Sequence, residues 1–201
     1  MKKFLLIALL AFAINIAGAG MWWERGDLGS TWQEWGFDTG ANPAIPELFE
    51  NPGVPTAFIE ALTGDHVPEP GWKTTYLGRS GVWAGDPLRI TLDIPNFPEP
   101  NPFKEIWIEV GYLGVITLAD IVDPPGAQLL ELSSVTGTDG WKVATIGWRI
   151  EPNPPFEIIW IDIVNSGAYL DYLTVDTICI PEPATMALLG LGGLLLRKRR
   201  V

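Results

Sequence analysis

Apolar and polar residues alternate through most of the middle of the chain, in short runs of β-branched and aromatic residues broken by Gly, Pro, Asn and Asp. Alternation with period two is the mark of half-buried strands, because successive side chains point to opposite faces of a sheet. The pattern predicts strands over residues 31–37, 74–77, 88–94, 105–112, 128–132, 141–150, 158–164 and 169–180. The breakers between them include Asn51-Pro52-Gly53, Pro98-Glu99-Pro100-Asn101-Pro102 and Asp123-Pro124-Pro125-Gly126, where proline withholds a ladder donor and glycine opens turn conformations. Residues 55–62 are compatible with a turn of helix, and no long stretch carries a helical period. The expectation is an all-β domain, a single β-sandwich or jelly roll.

One segment has an echo. Asn101-Pro102-Phe103-Lys104-Glu105-Ile106-Trp107-Ile108-Glu109-Val110 is matched 53 positions later by Pro154-Pro155-Phe156-Glu157-Ile158-Ile159-Trp160-Ile161-Asp162-Ile163. Two copies do not make a repeat array, but they suit equivalent strands of a sandwich. Period two places Ile106, Ile108 and Val110 on one face, as it does Ile159, Ile161 and Ile163, and this is the expected core face. Trp107 with Glu109, and Trp160 with Asp162, then point away from that core.

The two ends follow a different pattern. Lys2 and Lys3 precede an apolar run over residues 4–14, and Ala17-Gly18-Ala19 supplies small residues at a cleavage position, so residues 1–19 are expected to be a signal peptide removed by signal peptidase. At the other end Pro181-Glu182-Pro183 leads into an apolar stretch over residues 184–196, then Arg197-Lys198-Arg199-Arg200. A basic cluster beyond an apolar helix stays on the cytoplasmic side, which puts the preceding domain outside. Thirteen helical residues span about 20 Å, short for a permanent span and suited to a transient anchor in the inner membrane. The organisation expected is signal peptide 1–19, exported domain 20–180 and sorting and anchor segment 181–201.

Composition sharpens the picture of the middle. Of 13 basic and 24 acidic residues in the chain of 201, six basic and one acidic lie in the end segments, so the exported domain carries a net charge of −16. Such a field opposes binding to nucleic acid and anionic lipid. The single cysteine, Cys179, has no intrachain disulfide partner and fits a small buried apolar position.

The C-terminal run from Pro181 to Arg200 resembles the PEP-CTERM sorting signal. The resemblance implies processing by an exosortase, a membrane-embedded cysteine transpeptidase, in bacteria that make exopolysaccharide. It casts Pro181, Glu182 and Pro183 as the recognition element, the apolar stretch as the membrane-held helix, and Arg197, Lys198, Arg199 and Arg200 as the cytoplasmic stop. The exported region is also similar to uncharacterised proteins of this kind in its segments 32–35, 98–102 and 174–179. Its last strand, with Val175-Asp176-Thr177-Ile178, is similar to the closing strand of galactose-binding-like jelly rolls.

Candidate chemistry is sparse. Indoles beside carboxylates suit sugars, which stack an apolar ring face on the indole and donate hydroxyl hydrogen bonds to the carboxylate. Trp107, Glu109, Trp160 and Asp162 are therefore the candidate glycan platform, although tryptophan in β-sandwiches also serves as core filler. The only histidine, His66, lies in a loop-like segment without a nucleophile elbow, and one His with one Cys cannot build a zinc site. No cofactor is expected; a structural calcium ion is compatible with the acidic loops, with no ligands assigned. The reading is a non-enzymatic envelope or extracellular-matrix protein, with extracellular polysaccharide as the polymer partner. The alternatives are a carbohydrate-binding module and, behind it, a carboxylate-based glycosidase.

Overall fold

The computed structural model describes residues 21–62, 70–97 and 101–180. Residues 1–20 and 181–201 lie outside the described residues, and with them the expected signal peptide, the Pro181-Glu182-Pro183 element, the apolar helix and the basic stop. So does His66.

Among the described residues, ten strands form one curled antiparallel sheet: β1 (Ser30–Trp35), β2 (Leu48–Glu50), β3 (Thr56–Ala61), β4 (Gly71–Tyr76), β5 (Arg79–Gly85), β6 (Leu88–Pro95), β7 (Phe103–Asp123), β8 (Gln128–Thr136), β9 (Lys142–Ile150) and β10 (Phe156–Ile180). The fold is all-β, as expected. The two longest strands organise it. The first half of β7 pairs with the second half of β10, and the second half of β7 with the first half of β10. Each strand therefore contributes to two layers. One layer runs β2-β1-β10-β7-β9-β8, and the other carries β3, β6, the first half of β10 and the second half of β7.

Strands that change layer need a corner, and bends or bulges supply it. The corner of β7 is Gly114 at φ +119°, where an added Cβ would meet Ile163 Cγ2 at 2.8 Å and the Val164 carbonyl oxygen at 2.9 Å. The facing corner of β10 has positive φ at Asn165 and Gly167, and the ladder shifts register between Val164 and Tyr169. Residues 113–123, outside the predicted strands, thus continue the sheet, and the two strands expected over 158–164 and 169–180 are one bent strand.

Ile106, Ile108 and Val110 of β7 and Ile159, Ile161 and Ile163 of β10 all face the single large core, each no more than 1% exposed. Leu88, Ile90, Leu92 and Ile94 of β6 and Ile146 and Trp148 of β9 complete it. The echoed decapeptides are the opening segments of the two long strands, one in each layer.

One further expectation is corrected. Residues 55–62 hold strand β3 rather than a helical turn. Ala57 and Ile59 are buried while Phe58 is exposed, a period-two burial enforced by pairing with β6, and tertiary pairing overrides the helix preference of Ala and Glu. Strands β2 and β5 carried no clear alternation. β5 is held by partners on both sides, β4 and β10.

Candidate functional site

The outer face of the first layer carries the side chains that alternation turned away from the core. Trp32 and Glu34 come from β1, Tyr172, Thr174 and Asp176 from β10, Glu105, Trp107 and Glu109 from β7, and Thr145 and Arg149 from β9. The ladder sets them in rows: Trp32 beside Asp176, Asp176 beside Trp107, and Trp107 beside Gly147. Neighbours in such a row lie close enough for side chains to touch across strands.

Trp107 points away from the main core, yet it is only 6% exposed. Its indole lies over Gly147, where a Cβ would meet three ring atoms at 3.0 Å. Trp23, Ile178 and Leu130 close over it as a second, smaller apolar cluster. Tyr172 covers Gly111 in the next row in the same manner, at 2.3 Å from an added Cβ. Glycines in central strands thus make room for aromatic side chains from the neighbouring strand. The expectation that Trp107 offers an exposed platform is corrected: the segment before β1 folds back across the sheet and buries it.

That segment is fixed by charge. Arg25 donates from Nε to Asp176 Oδ1 at 2.5 Å and from Nη2 to Oδ2 at 2.9 Å, and also bonds Glu34. The fork geometry of guanidinium on carboxylate is the strongest side-chain ion pair available. Hydrogen bonding to Asp176 raises the Arg25 pKa further, against the opposing effect of burial. Its guanidinium also lies 4.8 Å from the centre of the Trp32 ring. Trp22 Nε1 donates to Glu105 Oε2 at 2.8 Å, and Arg149 bonds the other oxygen of Glu105 at 2.7 Å.

Between this segment and the sheet lies a cleft of about 370 Å³, floored in part by Trp107 and walled by Arg25, Glu34, Glu109, Thr145, Thr174 and Asp176. Tyr172 Oη donates to Glu109 Oε1 at 2.7 Å. Burial, with Glu109 accepting this bond, pushes the tyrosine pKa well above its ordinary value. The phenol therefore stays protonated and able to donate. The cleft offers carboxylate and hydroxyl oxygens that can accept hydrogen bonds.

Trp160 and Asp162 lie elsewhere, in the first half of β10 on the other layer. Asp162 is buried and binds Arg89 in a fork, Nε to Oδ1 at 2.8 Å and Nη2 to Oδ2 at 2.9 Å. The same guanidinium sits 4.2 Å from the centre of the half-buried Trp160 ring. The four residues of the expected platform are thus not brought together. Trp107 and Glu109 border the cleft, while Trp160 and Asp162 hold Arg89 in a separate cluster. Among the described residues no group of three or more His, Cys, Asp or Glu is placed to hold a metal ion.

A polar cluster inside the core went unnoticed in the sequence. Lys104 and Glu157 are both fully buried, with Lys104 Nζ 2.8 Å from Glu157 Oε2. Asn96 and Cys179 lie beside them. The signal was present: Lys104 has the parity of Ile106 and Ile108, and Glu157 that of Ile159 and Ile161, so both charges fall on the core face at matched positions of the echo.

Strand β10, central in its layer, ends at Ile180. The family model of the PEP-CTERM protein-sorting motif matches residues 180–200. No curated protein and no solved structure matches the chain. The chain carries a PEP-CTERM sorting signal, and with it the character of an exported protein sorted by way of exosortase and membrane-anchored before processing.

Proposed function

We propose that the chain is a non-enzymatic envelope or extracellular-matrix protein whose β-domain is presented outside the cell by its sorting signal. The observation that carries this reading is the junction at Ile180, where the central strand β10 meets the matched sorting motif. The acidic surface keeps such a domain soluble in a crowded envelope without a dedicated partner.

Fractionation of the native cells, with intact-mass measurement of the protein recovered, tests it. The expected species lies outside the cytoplasm and has lost the residues beyond the Pro181-Glu182-Pro183 element. Recovery of only the full-length chain from the cytoplasm refutes the reading.

A second reading, glycan binding, is favoured by the cleft beneath Arg25, whose Glu34, Glu109 and Asp176 oxygens suit hydroxyl donors. It replaces the paired-indole platform, since Trp107 is covered and Trp160 is occupied by Arg89. Titration of the purified protein with envelope polysaccharide, recording tryptophan fluorescence and sugar release together, separates the readings. Saturable binding without release supports a glycan-binding role, and release of sugar points to a hydrolase.

A further inference from the structure

The buried cluster at the base of the two layers contains an amine, a carboxyl and a primary amide in contact. Lys104, at the start of β7, reaches across the core to Glu157, at the start of β10. Glu157 has two oxygens and both are engaged. Oε2 takes Lys104 Nζ at 2.8 Å, and Oε1 takes Asn96 Nδ2 at 3.4 Å. One carboxyl therefore lies between the lysine amine and the asparagine amide nitrogen, which also donates to Asn153 Oδ1 at 2.5 Å and to the Pro154 carbonyl oxygen at 2.6 Å. Asn96 is 7% exposed, and its Oδ1 accepts from the Phe97 backbone N–H at 2.8 Å and from Cys179 Sγ at 3.3 Å.

This is an unusual way to bury a charge. An ammonium has three donors, and among the described residues Lys104 meets one acceptor, Glu157. Leaving the remaining donors of a buried cation unsatisfied is expensive, and a buried pair shifts toward its neutral form instead. Burial raises the Glu157 pKa above the ordinary carboxylate range, with Lys104 pulling in the opposite direction. A neutral lysine amine is a nucleophile. The Lys104 side chain is shielded from water, and the neighbouring electrophile is an amide whose oxygen already has two donors aimed at it, the arrangement that stabilises a developing oxyanion.

We propose that Lys104 and Asn96 are the partners of an autocatalytic intramolecular amide bond, with Glu157 as the proton-transferring catalytic residue. Lys104 Nζ adds to Asn96 Cγ, and the negative charge gathers on Oδ1 against Phe97 N–H and Cys179 S–H. Glu157 Oε2 takes one proton from Nζ while Oε1 delivers one to Nδ2. The Cγ–Nδ2 bond then breaks and ammonia leaves. The Nζ–Cγ amide remains, and the carboxyl recovers its starting protonation. No oxidant, metal or cofactor enters the balance. The new bond ties the end of β6 in one layer to the start of β7 in the other, a covalent staple suited to a domain exposed outside the cell without any disulfide.

Tryptic mapping of the purified full-length chain decides it without any variant. An unlinked protein is cut after Lys104. The linked one resists that cut and yields a peptide running from Ile90 to Lys142 whose mass is lower by one ammonia, with fragmentation placing the link between Asn96 and Lys104. Complete cleavage after Lys104 in folded protein overturns the proposal. So does loss of ammonia from Asn96 with Lys104 still cleaved, which signals a succinimide instead. Glu157→Gln keeps the volume and removes the proton shuttle. The expected result is folded, unlinked chain, and full linkage in that variant overturns the role given to Glu157. If Glu157→Gln fails to fold, the unchanged chain recovered from inclusion bodies directly into denaturant, and so not yet folded, supplies the same test: it should be unlinked in denaturant and become linked after refolding, and refolded chain that stays unlinked overturns the proposal.

Discussion

Replacing Trp107 with alanine separates the two roles an indole can have on this sheet. Although Trp107 faces away from the main core, it is 6% exposed, sandwiched between Gly147 beneath and Trp23, Ile178 and Leu130 around it. Truncation opens a ring-sized cavity bordered by a glycine that has no side chain to fill it. The expected loss is about 3 to 5 kcal/mol, the range for large aromatic residues cut to alanine in cores. Ile108→Ala, on the opposite face of the same strand, is expected to cost about 2 to 5 kcal/mol. Trp160 is half-buried and has Arg89 stacked on it, so Trp160→Ala forfeits part of its apolar burial and an exposed cation–π contact, together about 1 to 2 kcal/mol. Urea unfolding of the three variants, compared at constant slope of free energy against denaturant, measures the order. Trp107 should group with Ile108 and apart from Trp160. A Trp107→Ala variant that loses less than about 1 kcal/mol would show that the cover formed by residues 21–29 is loose in solution, and would restore Trp107 as an accessible platform.

Two further perturbations test the corner and the charge balance. Gly114→Ala should cost at least about 2 kcal/mol in a thermal or denaturant melt, because the residue sits at φ +119° and the new Cβ would press on Ile163 and on the backbone of Val164; a neutral outcome would mean the bend of β7 is not fixed by this residue. Burial raises the Asp171 pKa above its ordinary value, with Arg79 opposing. A raised carboxyl pKa in the folded state means stability that is complete below the unfolded value of 3.8 and is lost as pH rises through the folded value. Asp171→Asn should therefore gain on the native protein as pH climbs out of the acid range, read as the difference in melting temperature across a pH series; a difference that shrinks with rising pH contradicts the assignment.

Much of the secondary structure was legible because alternation is a local property. The isoleucines of 106–110 and 159–163 declare their inward face from spacing alone, and the structure buries all of them. Length was less legible. The strand expected over 105–112 stops before Gly114, and nothing local says that β10 will pair with both sides of that corner. For residues 55–62, Ala and Glu carry a helical preference that only the ladder with β6 overrules.

The sorting signal needed no fold, since a linear motif is recognised by its own order of residues, and Pro181-Glu182-Pro183 with its apolar and basic sequel carries that order unaided. The sequence by itself also fixed the all-β class and the direction in which Trp107 points. It did not fix what lies above Trp107, because the indole is covered by Trp23, which is 84 positions away in the chain, and burial depends on contacts that no local window contains. The same holds for Lys104 and Glu157. Parity placed each charge on a core face, but only the packing of one layer on the other decided that they meet, with Asn96 between β6 and β7 completing the group.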